Sequence, residues 1–457
     1  MRRGQGRSGS RAWLGAFLLA AGALSADAAP VAGISYERFV LPNGLRVLLS
    51  TDSSVPVTAL ATVFDVGARH EPPGRSGFAH LFEHLMFEGS RNVPKGGFDR
   101  ILESFGGDNN ASTHEDMTFY YEEVPSNALP VALWLDADRF VALNASKEAV
   151  ATQIEVVKEE KRMGVDNKPY GGLLNEAISS GAYVNWQNAH PIIGTFADLE
   201  AASLKDVKDF FDSYYAPANA IMAVVGDFDA AETRRRITEL FGDWPARDKP
   251  AAPDSFEPEA GPGRTFELKD SQARLPAVAL AWKGMPARGT RDFRALILLG
   301  SILFNGKGSR LYQELVKKSQ VAVEVEGGLG FPVHDAADYR APALFGAFVI
   351  NKAGGRPDEV KDLLLTQIAK ISSQGVPVSE VKRAKTKFRS DWILGQQTRL
   401  GRAQRLLFAA LLEGTPEAAN SLDQYLAVTP ADIQSAAARY LRPELANVFY
   451  VTPGGGK

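Results

Sequence analysis

One cluster of residues in this sequence is suited to metal chemistry: the pattern H-x-x-E-H formed by His80, Glu83 and His84. Residues i and i+4 of a helix lie one above the other, so both imidazoles can reach a single ion. Two neutral imidazole nitrogens suit Zn²⁺, and a catalytic zinc site needs a third protein ligand and an open position for water. Glu83 lies on the same side of the helix, where its carboxylate can reach that water. The cluster therefore predicts a zinc site that activates water.

The pattern is the reverse of the H-E-x-x-H zinc motif and is the signature of the inverted zincins. Because the chain has only six histidines, this spacing has little chance of arising at random. The alternative is a helix with two partly buried histidines that are satisfied by hydrogen bonds. The four remaining histidines are predicted to be surface or loop residues: His70, His114, His190 and His334.

A third ligand should be a carboxylate on a second helix. The segment 146–163 begins with a serine N-cap and carries a glutamate in its first turn, as helix starts do. Gln153 and Glu160 fall on one face of this helix, whereas Glu155 and Glu159 point elsewhere. Periodicity alone does not select Glu160 from the other carboxylates of the chain.

The elements that must position these residues follow from hydrophobic periodicity. Residues 36–40 and 45–49 are predicted strands that flank Asn43-Gly44, a two-residue hairpin signal. Further along the chain we expect a strand at 56–66, helices near 75–90, 96–105, 127–142 and 146–164, and a polar strand-like stretch at 110–123.

A short pattern occurs twice, at 203–207 and again about half the chain later at 429–433. In both copies an N-capped helix leads through a proline into an apolar strand. The alternative is two unrelated helices with similar caps. The repeat favours two related α+β domains, 29–243 and 265–457, joined by a linker at 244–264 that is rich in Pro, Ala, Gly and Glu.

Residues 1–28 have the order of a signal peptide: basic residues, a short apolar run, and the small-x-small cleavage site Ala26-Asp27-Ala28. The apolar run of about 12 residues is shorter than the ~20 that span a bilayer, so we expect no integral membrane segment in the mature chain. The absence of cysteine excludes disulfides and favours a bacterial periplasm for an exported protein. A net charge of −3 without a basic run argues against a nucleic-acid partner.

These motifs resemble the pitrilysin/insulinase family of metallopeptidases. The resemblance starts with His80-Leu-Phe-Glu83-His84 and with Glu160 inside Val156-Val157-Lys158-Glu159-Glu160. It extends over the chain through further segments similar to the family: Gly106-Gly107, Asn110-Ala111-Ser112-Thr113, Asp116-Met117-Thr118-Phe119-Tyr120, Asp166 to Gly171, and Gly308-Ser309-Arg310-Leu311-Tyr312.

The resemblance implies that His80, His84 and Glu160 bind one Zn²⁺ per chain and that Glu83 is the general base. The implied activity is that of a zinc-dependent endopeptidase cleaving peptides or unfolded polypeptides. Glu83 would activate the zinc-bound water that attacks the scissile carbonyl and would pass the proton to the leaving amine.

For the fold, the resemblance implies two homologous α+β domains, each a mainly antiparallel sheet flanked by helices, facing each other across a substrate chamber. It also implies an edge strand that pairs with substrate backbone by β-augmentation. The residues of that strand would be Asn110, Ala111, Ser112 and Thr113.

The sequence departs from the family pattern at two places. Gln153 stands where many relatives have a glutamate, which could weaken a contact to a zinc ligand. Val316 and Val323 stand where active single-chain relatives carry an Arg and a Tyr that reach over the substrate. We therefore expect the zinc-bearing subunit of a hetero-oligomer whose homologous partner supplies the Arg/Tyr pair, or a homodimer. The alternative function is a non-catalytic scaffold or peptide-binding subunit of a larger complex.

Overall fold

The computed structural model describes residues 31–259, 261–332, 338–340 and 342–454, and the chain from Gly33 onward forms one compact unit. The predicted signal peptide, residues 1–28, lies outside the described residues. The strands are β1 (Glu37–Val40), β2 (Arg46–Thr51), β3 (Val57–Phe64), β4 (Asp108–Thr113), β5 (Thr118–Pro125), β6 (Ala220–Gly226), β7 (Thr265–Asp270), β8 (Ala277–Trp282), β9 (Ala322–Leu329), β10 (Phe345–Asn351) and β11 (Asn447–Pro453).

The helices are α1 (Phe78–Leu85), α2 (Gly97–Ser104), α3 (Leu129–Val141), α4 (Lys147–Lys161), α5 (Ile178–Ala182), α6 (Trp186–Ala189), α7 (Phe196–Glu200), α8 (Leu204–Tyr214), α9 (Ala230–Phe241), α10 (Arg291–Phe304), α11 (Pro357–Gln374), α12 (Val378–Leu394), α13 (Arg399–Leu412), α14 (Leu422–Leu426) and α15 (Pro430–Tyr440). π-Helical turns occur at Arg162–Asp166, Leu173–Ala177 and Tyr312–Lys318. Within the part of the chain that the structure describes, no helix combines the length and the apolar composition that a membrane span requires.

The strands form two sheets with the same topology. The first sheet has the order β1-β2-β6-β3-β5-β4 and the second has the order β7-β11-β8-β10-β9. Each contains one parallel pair, β2 with β6 and β7 with β11, while the other pairs are antiparallel. Apart from the added edge strand β1, the two orders match strand for strand. The expected α+β fold of two homologous, mainly antiparallel domains is therefore confirmed.

The sequence repeat corresponds to α8 and α15. Each helix begins with a capping box, Ser203 with Asp206 in one and Thr429 with Asp432 in the other. Such a box satisfies backbone N–H groups that the first helical turn cannot pair. The strands that follow, β6 and β11, occupy equivalent places in the two sheets. Between α9 and β7 the described residues contain no helix or strand, and the domain limits expected at 244 and 264 stay a prediction.

The first hairpin is present, but its loop is longer than the Asn-Gly signal predicts. Val40 pairs with Arg46, so five residues, 41–45, connect β1 and β2. The Asn43 amide donates hydrogen bonds to the carbonyls of Phe241 at 2.7 Å and Trp244 at 3.1 Å. This side chain fixes the end of α9 to the loop, while the Gly44 N–H donates to the Leu41 carbonyl and the Leu41 N–H to the Leu45 carbonyl, both at 2.9 Å, and close the loop itself.

The inner strands β3 and β6 of the first sheet are buried on both faces. On β3, Leu60 and Phe64 pack into a core with α1, α3, α4, α8 and α9, whereas Ala61 and Val63 belong to a second core on the opposite face. A strand points successive side chains to opposite faces, so this alternation requires a cover on each side.

The cover on the opposite face comes from the other half of the chain. Helix α13 packs across β3 and β6, and the described core on this face joins strand residues of the first sheet to α13 residues such as Leu407 and Phe408. The rings of Phe119 and Phe408 meet edge to face at 5.3 Å between centroids. The first sheet is thus completed by a helix from the second half, which lies in the chain between strands β10 and β11 of the second sheet.

The second sheet receives the reciprocal cover. Its own helices pack on the face that carries Leu280, while the opposite face, with Ala279, packs against residues 170–183 of the first half. At Gly181 in α5 the approach is so close that a Cβ atom would lie 2.6 Å from the Phe449 ring. Each half therefore contributes the outer layer of the other.

We expect Leu407→Ala to lower the free energy of unfolding by about 2–5 kcal/mol, because it opens a cavity in the core that joins the halves. Urea denaturation followed by circular dichroism measures this loss. Leu394→Ala is the matched control, since Leu394 is 55% exposed on α12 and should change the free energy by less than ~0.5 kcal/mol. Equal effects of the two substitutions would contradict the assigned role of α13.

Candidate metal centre

The helix that carries the histidines is held at its start by a buried carboxylate. Gly77 and Ala79 donate their backbone N–H groups to Glu71 at 2.9 and 2.7 Å, which satisfies donors of the first turn of α1. Burial raises the pKa of Glu71, and the His190 ring, 3.0 Å away, opposes this shift. Gly77 has φ +90°, and a Cβ atom there would lie 2.8 Å from the Ile193 carbonyl oxygen. These contacts fix the position of α1.

His80 and His84 lie one turn apart on α1, with ring centroids separated by 4.8 Å. Helix α4 packs against α1 and places Glu160 beside both rings. The Glu160 carboxylate lies 3.7 Å from Nε2 of His80 and 3.4 Å from Nε2 of His84. One ligand atom from each of these residues lies within 4.8 Å of the other two. Two imidazole nitrogens and a carboxylate oxygen form a donor set that suits Zn²⁺.

The outer nitrogen of His84 has a partner on α4. Nδ1 of His84 lies 3.2 Å from the Oε1 of Gln153, and the Gln153 amide donates to Glu88 at 2.6 Å. A proton held on Nδ1 by this acceptor leaves Nε2 free to bind a cation. Gln153 therefore makes the contact that the sequence departure put in doubt. Nδ1 of His80 is buried and has no hydrogen-bond partner among the described residues.

The charges of the cluster are strongly coupled. Burial, assisted by the nearby His84, lowers the pKa of His80 to about 4, so this ring is neutral at pH 7. Burial also lowers the pKa of His84, but the Glu160 carboxylate and the charge of Glu83 outweigh it and raise the pKa overall. The hydrogen bond with His84 lowers the pKa of Glu160. A bound cation would displace the proton of a charged His84 ring, so the metal and the proton compete for this site.

Glu83 lies on the same helix as the two histidines, and a residue of strand β4 holds its carboxylate. Its Oε2 accepts a hydrogen bond of 2.5 Å from the Thr113 hydroxyl at the end of β4. Burial raises the pKa of Glu83 to about 7, against the effect of that hydrogen bond. A carboxyl group with a pKa near the working pH can both accept and donate a proton.

The predicted substrate strand is β4, the edge of the first sheet, which pairs with β5. Its four candidate residues, Asn110, Ala111, Ser112 and Thr113, lie on it consecutively. The Ser112 hydroxyl lies 3.0 Å from Nε2 of His114, and the Asn110 side chain accepts the Ala111 N–H at 2.8 Å. The outer backbone edge of a terminal strand is the kind of surface that can pair with an extended peptide.

The expectation that the remaining histidines are surface or loop residues is wrong for His70, which lies in the 3-10 turn Ala68–His70 and is 9% exposed. His190 lies in a loop after α6, but its side chain is only 4% exposed and packs against Glu71. Sequence reasoning missed the Glu71–His190 pair because 119 residues separate the partners. The available signal for this pair in the sequence was Glu71, an acidic residue shortly before the start of α1. His334 lies outside the described residues.

Two family models match the chain: "Insulinase (Peptidase family M16)" at residues 46–196 and "Peptidase M16 inactive domain" at residues 201–388. The zinc protease PqqE of Helicobacter pylori is 35% identical over 290 residues, which cover 63% of this chain and 65% of that protein, just under two thirds of its length. An uncharacterized zinc protease of Streptomyces coelicolor is 27% identical over 425 residues, covering 90% of this chain and 88% of the relative.

Among solved structures, the crystal structure of a protease from Helicobacter pylori superposes with a TM-score of 0.86 at 27% sequence identity. The match covers 92% of this chain and 100% of that one. Sequence models, relatives and structure agree over both halves, and this chain therefore belongs to the insulinase family of peptidases, family M16.

Proposed function

We propose that this chain is a zinc-dependent endopeptidase of the inverted-zincin type that cleaves peptides or unfolded polypeptides. The observation that carries the proposal is the convergence of His80, His84 and Glu160 from two helices beside the half-buried Glu83. The relatives named zinc proteases support the same class of activity.

The donor set fits one zinc ion per chain. Bound Zn²⁺ would supply Lewis acidity, which polarises a carbonyl and acidifies water. His80 presents a neutral ring, and the Gln153 contact leaves Nε2 of His84 available as a ligand atom. The Glu160 carboxylate supplies the negative charge that partly balances a divalent cation.

Glu83 is the general base and acid in this proposal. Its carboxylate takes a proton from the attacking water and delivers it to the leaving amine. The Thr113 hydroxyl holds the carboxylate in place through Oε2. Because Thr113 also ends β4, a peptide paired with that strand would lie next to the proton-transferring group.

Two valines in the second half, at positions where the family resemblance implies polar side chains, support the proposal of a partner subunit. Val316 packs against the core of the second half, and Val323 is 46% exposed on β9. Neither side chain can donate a hydrogen bond to a developing oxyanion, a role for which the family resemblance implies an Arg and a Tyr. We therefore infer a hetero-oligomer with a homologous subunit that supplies this pair, with a homodimer as the weaker alternative. The composition of residues 1–28 supports export to the periplasm as the place of action.

Glu83→Gln should lower kcat for an unstructured peptide by roughly 10²–10⁴-fold, because the proton-transfer group is lost. Zinc content should stay near one ion per chain, measured by atomic absorption on the same sample. Glu103→Gln, an exposed carboxylate on α2, is the matched control and should leave kcat unchanged. Chelator should abolish hydrolysis by the unaltered chain. Bound zinc without hydrolysis, even with a partner present, would favour a scaffold or peptide-binding subunit.

Glu160→Gln should weaken zinc binding by more than the ~10–100-fold typical of losing an outer contact to a ligand. Its neighbour provides the control: Glu159 is exposed on another face of α4 and pairs with Arg162 at 3.1 Å. Zinc affinity measured by competition with a fluorescent chelator should be unchanged in Glu159→Gln. Equal affinities of the two variants would remove Glu160 from the metal site.

The partner proposal predicts weak hydrolysis by the purified chain and at least a tenfold rise when the homologous subunit is added, since one oxyanion donor contributes roughly 10²–10³-fold in kcat. Analytical ultracentrifugation of the same samples reports the assembly. Full activity of a monomer would contradict the need for a partner.

A further inference from the structure

A cavity of about 1050 Å³ lies in the second half of the chain, between α10, α12, α13 and β9. This volume exceeds the ~300–1,000 Å³ usual for a small-ligand pocket, so the cavity has room for more than one residue of a peptide. None of the metal-centre residues lines it. Its wall is rich in aromatic side chains, among them Phe304, Phe331, Phe388, Trp392, Phe408 and Tyr425.

One cation on this wall lacks a counter-ion. The guanidinium of Arg405 lies 3.8 Å from the centre of the Trp392 ring and donates one long hydrogen bond, 3.4 Å, to the Trp392 carbonyl. Nε of Arg405 is buried without a hydrogen-bond partner, and no carboxylate of the described residues forms an ion pair with this side chain. Burial lowers the pKa of Arg405 to about 10. Because Arg405 is only partly exposed, its charge is incompletely solvated, and an anion would stabilise it.

The other charged groups of the wall have different surroundings. Three contacts account for four of them: Arg288 pairs with Glu413, which also lines the wall, at 2.9 Å, Asp391 pairs with Lys387 at 2.9 Å, and Asp338 lies 3.8 Å from Nδ1 of His114. The fifth is Glu326, whose pKa is raised by burial and by Glu324, a shift toward the neutral form. Arg405 is thus the cationic wall residue that has no carboxylate partner among the described residues, and an anion could fill that place.

The cavity wall is linked to the metal centre through His114. Phe408 and Asp338 both line it, and both contact His114, at 6.1 Å between rings and 3.8 Å from Nδ1. His114 directly follows Thr113, which bonds Glu83. The chain just after β4 therefore contacts both Glu83 and the cavity wall.

We propose that this cavity binds the C-terminal end of a peptide, with the free α-carboxylate on Arg405 and the last apolar side chains on the aromatic wall. The planar fork of an arginine matches the two oxygens of a carboxylate, and aromatic faces suit apolar residues. The choice of a peptide as ligand rests on the proposed function. The consequence is a preference for substrates that carry a free C-terminus.

Isothermal titration of zinc-loaded Glu83→Gln, which binds without turning over, tests this site. The probes are a synthetic peptide ending in Phe-Leu and the same peptide with a C-terminal amide. The free acid should bind roughly tenfold or more tightly than the amide, because the amide lacks the charge that Arg405 pairs with.

Adding Arg405→Gln should abolish this difference, and Arg405→Lys should restore part of it, because charge returns without the planar fork. Arg383→Gln is the matched control: Arg383 is exposed on α12, outside the cavity wall, and should keep the full difference. Thermal unfolding of each variant verifies folding, and Arg405→Lys provides a readout if Arg405→Gln does not fold.

Equal binding of acid and amide, an acid preference that survives in Arg405→Gln, or no binding of either peptide would overturn the proposal. Binding of N-acetylleucine as tightly as the peptide would assign the cavity to small carboxylates and would also overturn it. Hydrolysis of the amide by the unaltered chain reports the proposed function separately, so failure of the anchor and failure of the peptidase give different results.

Discussion

Each sheet of this chain carries apolar side chains on both faces, and a buried strand cannot leave either face in water. In each half, helices of the same half cover one face of the sheet. The chain meets this constraint by exchange: α13 closes the first sheet and residues 170–183 close the second. The arrangement joins two repeats of one topology into a single folding unit, and the position of every functional element depends on it.

The metal centre lies on the face that the first half covers itself, while the strand next to it meets the second half. Beyond the end of β4, Asp116 accepts hydrogen bonds from Arg69 at 2.7 Å and from the Arg340 backbone at 2.5 Å. Arg69 continues to the Pro342 carbonyl at 2.6 Å. These buried, charge-assisted contacts fix the edge strand to the second half. Thr113, and through it Glu83, is therefore positioned by both repeats.

Local patterns were sufficient to predict the elements that carry the site. The spacing of His80 and His84 predicted a helix with two ligands, and the serine cap and acidic first turn predicted α4. The choice of Glu160 was not available from periodicity, because it depends on how two helices meet. The family resemblance supplied that choice, and the structure brings the three residues together.

What could not be predicted depends on distant contacts. The alternation on β3 predicts two buried faces, but nothing in it indicates that α13 covers one of them. The burial of His190 depends on Glu71, far away in the chain. The Asn43-Gly44 signal describes a local turn, whereas the Asn43 amide is used to fix α9. In each case a contact between residues far apart in the chain adds what the local pattern does not contain.

The exchange of covering layers also bears on how such a chain could arise. Two identical half-length polypeptides, each lending its outer helix to the sheet of the other, would bury the same surfaces as a symmetric, domain-swapped dimer. Joining their genes would preserve that assembly and free the two copies to diverge. One copy could then keep the histidines and the other could lose them. The single chain thus keeps the repeated topology of such a dimer, although the sequences of its two halves differ.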